Sequence, residues 1–196
     1  MLISLLGVSL IASAALGLVN DATKSTIKQA ELDKQTKAIA SVLPPFDKLG
    51  ESKQVLPKDG KDSITIYPAM NKEGETIANA VKSYTYSGFS GYIEVMVGFD
   101  KEGVITGYQI LKHAETPGLG SKMSTWFNNK QKPGQCIIGR TPAKEPFKVS
   151  KDGGNVDAIT AATISSRAFL QSVNRAYSAL NEQYDGVTAA TKKRGE

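Results

Sequence analysis

The sequence predicts an α+β protein in which one N-terminal transmembrane helix precedes a single domain, an antiparallel sheet flanked by helices. Three observations support this fold class. Residues 1–20 are apolar and contain no charged side chain. Residues 92–99 and 104–111 carry strand-like patterns on either side of a short polar turn. Beyond residue 163, apolar side chains recur at the spacing of an amphipathic helix.

The N-terminal segment has the length and composition of a membrane span. Residues 1–20 are mostly Leu, Ile, Val and Ala, and a helix of this length extends about 30 Å, the thickness of the hydrocarbon core of a bilayer. A secretory signal peptide is the alternative, because the small residues at 12–14 could suit a cleavage site. Signal peptides normally open with a positively charged region, which is not visible here. Length therefore favours the span.

Residues 21–45 are predicted to continue the membrane helix outward as a juxtamembrane helix or linker. Their composition favours helix, a loose apolar stripe runs along them, and Pro44 and Pro45 stop the pattern. Basic and acidic side chains are mixed in this flank: Lys24, Lys28, Lys34, Lys37, Asp21, Glu31 and Asp33. These charges therefore do not decide on which side of the membrane the downstream domain lies.

Composition limits the rest of the chain to one domain and argues against several kinds of site. About 175 of the 196 residues follow the span, which is enough for one domain with its own core, predicted at 46–186. Cys136 is the single cysteine and His113 the single histidine. We therefore expect no intrachain disulfide, no iron–sulfur cluster held by this chain's cysteines alone, and no metal site.

Charge gives no indication of a nucleic-acid partner. The net charge of +5 comes from 24 basic and 19 acidic residues that are spread along the chain. The compact basic cluster is Lys192, Lys193 and Arg194, inside a predicted basic tail at 187–196. Nucleic-acid binding needs a concentrated basic face, preferably with stacking aromatic residues. Nucleic acid is therefore not an expected partner.

The clearest element of the domain is a β-hairpin. Ile93, Val95, Val97 and Phe99 alternate toward one face, and the polar turn at 100–103 leads into the second strand. Weaker patterns predict the other elements: a loop at 48–61, strand-like segments at 64–67 and 76–86, a helix at 121–129, an irregular stretch to Pro146, a short strand at 147–149 and a final helix that ends near Tyr184.

A hydroxyl-rich turn at 157–166, Asp-Ala-Ile-Thr-Ala-Ala-Thr-Ile-Ser-Ser, runs directly into the final helix. Thr163, Ser165 and Ser166 fall in or just before its first turn, where unpaired backbone N–H groups and the helix dipole favour an anion such as phosphate. The alternative is an ordinary helix N-cap, in which Ser and Thr satisfy free backbone donors. On composition alone, the N-cap is the commoner explanation.

A second segment, His-Ala-Glu-Thr-Pro-Gly-Leu-Gly at 113–120, has the composition of a ligand-binding loop. The proline stiffens the loop, and the glycines let the backbone approach a flat ring closely. The leucine can cover such a ring, while the glutamate and the threonine offer polar contacts. The candidate contacts are Glu115, Thr116, Gly118, Leu119 and Gly120. Alone, this segment could be a plain Pro-Gly turn.

Together the two segments resemble the FMN-binding subunits of Rnf complexes and of Na⁺-translocating NADH:quinone reductases. The first is similar to their flavin-attachment motif, which ends in Ser/Thr-Gly-Ala-Thr, and the second to their His-x-Glu-Thr-Pro-Gly-Leu-Gly segment. The resemblance implies that Thr163 carries FMN through a phosphodiester bond. Asp157, Thr160 and Ala162 match the motif, whereas Ala161 stands where glycine is usual. If this position needs a positive φ, the Cβ costs about 1 kcal/mol or more.

The G subunits of Rnf complexes are the favoured match, and the resemblance implies a function. We expect a membrane-anchored electron-transfer subunit in the inner or cytoplasmic membrane, with its FMN-binding domain outside, in a complex that moves electrons between ferredoxin and NAD. Expected partners are the other membrane and redox subunits, a flavin transferase during maturation, and membrane lipid. The alternatives are the C subunit of a quinone reductase, a flavin-free structural or assembly subunit, and a secreted FMN-binding module.

With FMN in the site, further residues become candidate contacts. His113 could make a neutral polar contact beside the flavin or be merely structural. Trp126 could flank the isoalloxazine ring, although an aromatic residue on a short helix is more often part of the core. Lys151 could approach the phosphate or the flavin edge from its glycine-containing loop, and Tyr92 and Glu94 could line the site from the hairpin.

Overall fold

The computed structural model describes residues 2–57 and 61–192. The chain forms two compact units, one that ends at Lys37 and one that begins at Ala38. The first unit is helical throughout its described part, and the second contains the sheet and the remaining helices. The predicted α+β class, with a long apolar helix ahead of an antiparallel sheet domain, is confirmed.

The first helix, α1 (Leu2–Val42), runs without interruption from the apolar segment through the predicted juxtamembrane region. It ends just before Pro44 and Pro45, as proline's missing N–H and fixed φ require. Large apolar side chains along its first half, such as Leu10, are exposed. The helix is long and apolar enough to cross a membrane, and an apolar surface of this kind is suited to lipid.

The sheet is antiparallel throughout, with β1, β3, β4, β5 and β6 side by side and β2 also paired with β3. The strands are β1 (Lys48–Leu49), β2 (Lys53–Val55), β3 (Ile64–Met70), β4 (Thr76–Gly88), β5 (Gly91–Asp100) and β6 (Ile105–His113). The predicted hairpin corresponds to β5 and β6. The carboxylate of Asp100 accepts hydrogen bonds from the backbone of Glu102 and Val104 at the turn, both at 2.9 Å.

The prediction of a loop at 48–61 was wrong in part, because β1 and β2 lie within it. These strands have two and three residues, and most of their side chains are exposed. A strand this short at the edge of a sheet has no alternating pattern to detect, since only its backbone pairs with β3.

The sheet has a buried core on each face. Ile93, Val95, Val97 and Phe99 are buried on one face, as the alternation predicts, and they pack with α3 (Thr163–Lys192). On the other face, the last turn of α1 packs on small and apolar residues of the sheet: Ala38, Ile39, Val42 and Leu43 against Ala69, Ala78, Ala80, Met96 and Leu111. The sheet is therefore covered on both sides, which leaves its loops to form a site.

Two glycines admit the end of α1 to the second face. A Cβ on Gly98 would lie 2.0 Å from the carbonyl oxygen of Val42, and one on Gly107 would lie 3.0 Å from the Cα of Val42. Thr106 Oγ1 donates a hydrogen bond to the same carbonyl at 2.5 Å. The backbone at Val42 is therefore held against β5 and β6, so that the glycines are required for packing.

We expect Gly98→Ala to destabilise the sheet domain by roughly 1–3 kcal/mol, the usual cost of overpacking a core. The new methyl group must displace a backbone carbonyl, which is less able to move than a side chain. Urea unfolding of the full chain in detergent, followed by circular dichroism, measures the change. Gly107→Ala is the graded control, because its nearest contact is longer; equal stability of Gly98→Ala and the parent chain would contradict the packing argument.

The helices differ from the sequence predictions in two places. Instead of a helix at 121–129, a 3-10 turn at Gly120–Lys122 leads into α2 (Met123–Trp126), so the predicted helix was too long. α3 continues past Tyr184 to Lys192, and residues 193–196 of the predicted basic tail lie outside the described residues.

The predicted strand at 147–149 is absent from the described structure, where an isolated bridge joins Val149 to Val156. Asn174 explains why a full strand is not needed. Its Oδ1 accepts from the backbone N–H of Phe147 and its Nδ2 donates to the Phe147 carbonyl, both at 2.9 Å. A side chain on α3 therefore satisfies the backbone groups that a neighbouring strand would otherwise pair.

Candidate functional site

A cavity of about 330 Å³ lies where the β4–β5 turn, the loop after β6 and the start of α3 meet. Its volume falls within the range of small-molecule sites. It is lined by Phe89, Glu115, Thr116, Leu119, Gly120, Ala161, Ala162, Thr163, Ile164 and Ser165. The two sequence segments that predict a ligand site are therefore adjacent in the structure.

The start of α3 is shaped by a turn that Ser166 holds. The backbone N–H of Ala162 donates to the carbonyl of Ile159 at 3.0 Å and closes the turn. Ser166 Oγ accepts from the Ile159 N–H and donates to the Ala162 carbonyl, both at 2.9 Å. Ser166 is fully buried, so its hydroxyl acts as a structural clamp and does not face the cavity.

The clamp leaves the first-turn donors of α3 at the cavity. The first backbone bond of the helix runs from the Ser166 N–H to the Ala162 carbonyl at 3.0 Å. The N–H groups of Thr163, Ile164 and Ser165 come before it and have no acceptor within the helix. All three residues line the cavity. This arrangement suits an anionic group, because three donors and the positive end of the helix dipole meet there.

Ala161 is strained in this turn. Its φ is +60°, the one positive value among the non-glycine residues that the structure describes. It occupies the third position of the turn closed by Ala162, where the left-handed conformation is normally taken by glycine. Ala161 therefore has the positive φ at which a Cβ is costly.

We expect Ala161→Gly to stabilise the protein by about 1 kcal/mol, because glycine adopts this φ without a Cβ clash. Ala158→Gly is the control: Ala158 has no positive φ, so glycine there should increase the entropy of the unfolded chain, lose the contact of the Ala158 methyl group with the core, and destabilise. Urea unfolding midpoints of the two variants and the parent measure both effects. A loss of stability in both variants would show that the turn is not strained.

Glu115 is a buried carboxylate at the cavity, with 3% of its surface exposed. Its Oε1 accepts a hydrogen bond from the backbone N–H of Ser90 at 2.9 Å, and its Oε2 accepts a short one from Ser165 Oγ. Two glycines make room for it. A Cβ on Gly120 would lie 2.6 Å from Oε2, and one on Gly88 would lie 2.7 Å from Oε1. Glu115 therefore links the β4–β5 turn to the first turn of α3.

The rim of the cavity is apolar and exposed. Phe89, Leu119 and Ile164 are 66%, 40% and 49% exposed, high values for side chains of this size. Leu119 is held in a tight loop, in which its N–H donates to the Thr116 carbonyl at 3.2 Å and Gly118 takes a φ of +75°. Three large apolar side chains beside the first-turn N–H groups of α3 suit a ligand that has an apolar body and an anionic group.

Several predicted site residues do not line the cavity. Thr160 is exposed in the turn before Ala161. Asp157 accepts a hydrogen bond from Ser150 Oγ at 3.1 Å, and its carbonyl accepts one from Trp126 Nε1 at 2.9 Å. Trp126 therefore supports the turn from outside the cavity.

The remaining predicted residues also lie away from the cavity lining. His113 is exposed, and its Nδ1 accepts a hydrogen bond from the Glu115 N–H at 3.1 Å. Gly118 has open space around it. Lys151 is exposed in a 3-10 turn, where its neighbour Asp152 pairs with Arg167, whose guanidinium lowers the pKa of Asp152.

The hairpin candidates Tyr92 and Glu94 bond to each other at 3.1 Å and are not among the lining residues. Burial raises the pKa of Tyr92, and the Glu94 carboxylate adds to the effect. Sequence reasoning did not identify Phe89, Ser90 or Ile164. The available signal was the Gly-Phe-Ser-Gly turn at 88–91, where a large apolar residue stands between glycines at a hairpin end.

Metal binding receives no support from the described residues. They contain no group of three or more His, Cys, Asp or Glu side chains that could hold an ion. The donors at the start of α3 and the apolar rim suit an organic anion with an apolar body, and FMN is a ligand of this kind.

One family model and several known proteins match this chain. Residues 88–178 match the model of the FMN-binding domain. The chain is 35% identical to the G subunit of an ion-translocating oxidoreductase complex from Shewanella amazonensis, over 86% of this chain and 81% of that protein. It is also 35% identical to the G subunit of the same kind of complex from Salmonella typhi, over 86% and 85% of the two chains.

A third relative carries a more detailed name. The G subunit of the Na(+)-translocating ferredoxin:NAD(+) oxidoreductase complex from Acetobacterium woodii is 32% identical, over 85% of this chain and 84% of that protein. The matched FMN-binding region contains every residue that lines the cavity.

Proposed function

The chain belongs to the family of G subunits of Rnf-type ion-translocating oxidoreductase complexes, and from this premise we propose that it carries electrons on an FMN bound covalently to Thr163. Membership of that family and the FMN-binding domain make it a redox subunit of a membrane complex. We propose in addition the linkage to Thr163 and the residues that contact the flavin.

The observation that carries the proposal is the position of Thr163. It is the first residue of α3, is half-buried, and lines the cavity together with both ligand-binding segments. A phosphate esterified to its hydroxyl would stay beside the N–H groups of the first helical turn. These groups favour an anion through hydrogen bonds and through the helix dipole.

Different lining residues would contact different parts of the flavin. The N–H groups of Thr163, Ile164 and Ser165 would bind the phosphate, and Thr116 would offer a polar contact. Phe89 and Leu119 would cover the apolar ring, with the Ile164 side chain on the same rim. When bound, FMN supplies the redox chemistry; the protein supplies orientation, exclusion of water and tuning of the reduction potential.

We propose further that the complex moves electrons between ferredoxin and NAD and couples this to ion movement. The name of the Acetobacterium woodii relative supports this activity. The partners would be the other membrane and redox subunits, a flavin transferase that loads Thr163, and the lipid around α1. The sheet domain would lie outside the cytoplasm, where covalent attachment prevents loss of a flavin that is not readily replaced.

Mass spectrometry of the intact chain and of its peptides, purified from the native membrane, tests the proposal. We expect a mass increase of one FMN less one water, localised to the peptide that contains Thr163. Retention of residues 1–20 would support a membrane anchor over a secreted module. An unmodified Thr163 in an active native complex would overturn covalent attachment and favour noncovalent FMN or a flavin-free structural subunit, to which the strained Ala161 would then point.

A further inference from the structure

We propose that Glu115 sets the reduction potential of the flavin, by holding a negative charge at the cavity that makes FMN harder to reduce. The inference rests on the proposed function, since it assumes FMN at Thr163. It concerns a different property, because attachment of the flavin does not require it. Glu115 acts here as a tuning residue, and its effect should appear in the equilibrium between oxidised and reduced flavin.

The structure around Glu115 is arranged to hold a carboxylate. Both oxygens have a donor partner, the Ser90 N–H at 2.9 Å and the Ser165 hydroxyl. Since each oxygen accepts a hydrogen bond, the group is arranged as an ionised carboxylate would be. The backbones of Gly88 and Gly120 lie so close to these oxygens that any side chain at either position would clash with them. A glutamate that merely faced solvent would not need such an enclosure.

The described lining of the cavity has no cationic side chain to balance Glu115. Among the described lining residues, Glu115 has the one ionisable side chain with a formal charge, and no lysine, arginine or histidine lines the cavity with it. The carboxylate is 3% exposed, so water screens its charge weakly. Its field therefore reaches the inside of the cavity, where the N–H donors and the positive end of the α3 dipole oppose it and no cationic side chain does.

The reduction potential of a flavin depends on nearby charge, because reduction changes the charge of the ring. Reduction takes two electrons from a neighbouring redox subunit and one proton from water, which leaves one additional negative charge on the ring. A fixed negative charge nearby opposes that change and favours the oxidised form. Removal of the Glu115 charge should therefore raise the flavin potential.

The decisive experiment compares Glu115→Gln with the parent chain, each as full-length protein in detergent with its flavin attached. Mass spectrometry first establishes that FMN is bound, and spectroelectrochemical titration then gives the potential. We expect Glu115→Gln to increase the ratio of reduced to oxidised flavin at a fixed potential about tenfold, equal to about 30 mV for a two-electron couple. An unchanged ratio in a loaded variant would overturn the inference.

Two further variants separate charge from position. Ser165→Ala removes a donor to Glu115 and keeps the carboxylate, so we expect it to lower the ratio of reduced to oxidised flavin, the opposite direction. If Glu115 acted only by fixing the first turn of α3, both variants would shift the ratio in the same direction. Glu94→Gln removes an equal charge outside the cavity and should change the ratio by less than twofold; an equal shift would contradict a local effect.

A wrong assignment of FMN to Thr163 and a wrong role for Glu115 would give different results. A chain that lacks FMN in its parent form contradicts the attachment at Thr163 before any potential is measured. A loaded parent with an unchanged Glu115→Gln potential contradicts the tuning role alone. If Glu115→Gln does not fold, the Ser165→Ala measurement still decides, because an increased ratio in that variant is incompatible with the proposed charge effect.

Discussion

Thr163→Ala is expected to abolish covalent flavin completely. The substitution removes the hydroxyl that would form the ester, and no neighbouring hydroxyl is equivalent. Ser165 Oγ is engaged with buried Glu115, and Ser166 Oγ is fully buried in the clamp on Ala162. Thr116 also lines the cavity, but it lies in the loop after β6 and not in the first turn of α3, whose N–H groups would hold the phosphate. Alanine is a good helix former at the first position of α3, so the fold should be preserved. The intact mass should equal that of the bare polypeptide, and flavin fluorescence in a denaturing gel should disappear.

Two companion variants make this result specific. Thr163→Ser keeps a hydroxyl at the same atom position and should retain measurable covalent FMN. Thr125→Ala removes an exposed threonine hydroxyl on α2, outside the cavity, and should be loaded as fully as the parent chain. Covalent FMN in Thr163→Ala would refute the assigned acceptor, and peptide mapping of that variant would identify the residue actually used.

The long elements of the fold could be predicted because their patterns repeat. The hairpin of β5 and β6 alternates over enough residues for its buried face to be recognised from Ile93 to Phe99. α1 is apolar over a bilayer's length, and α3 places Phe169, Val173 and Ala176 on one buried face. In each case the same physical requirement, burial of one face or of a whole surface, recurs along the segment.

The short elements could not be predicted, because their stability comes from distant partners. β1 and β2 exist through backbone pairing with β3 and carry almost no buried side chains. The segment at Phe147 is held by Asn174 on α3, so it needs no neighbouring strand. Local propensity contains no information about such contacts, which join residues far apart in the sequence.

The candidate site could be predicted from the sequence only in part. Its two motifs are contiguous segments, and their glycines and hydroxyls identify them. The bond between Glu115 and Ser165 joins residues that are 50 positions apart, and Phe89 reaches the cavity from a third segment. Pairings of this kind depend on how the sheet brings loops together, so only the fold could supply them.

Phe169→Ala is expected to cause the largest loss of stability, about 3–5 kcal/mol. Phe169 has no exposed surface. Its ring stacks on the Phe127 ring, with centroids 4.5 Å apart and planes 6° from parallel. The centroid of the Tyr108 ring lies 4.9 Å from that of Phe169. The Tyr108 hydroxyl in turn donates to the Met123 carbonyl at 2.7 Å. One side chain therefore joins α3 to β6 and to Phe127, the residue that follows α2.

A loss of this size removes a large share of the stability of an ordinary domain, which is about 5–15 kcal/mol. Urea unfolding of the full chain in detergent, followed by circular dichroism, should show a clearly lower midpoint with a similar slope.

Phe89→Ala is the matched control: the same side chain is deleted, but 66% of it is already exposed, so stability should change by less than about 0.5 kcal/mol. Phe89 lies at the rim of the cavity, so Phe89→Ala should remove a contact with the flavin and leave the fold intact. Phe169→Ala should reduce both the stability of the domain and its contacts with the flavin. Equal unfolding midpoints for the two variants would contradict the packing on which the start of α3 depends.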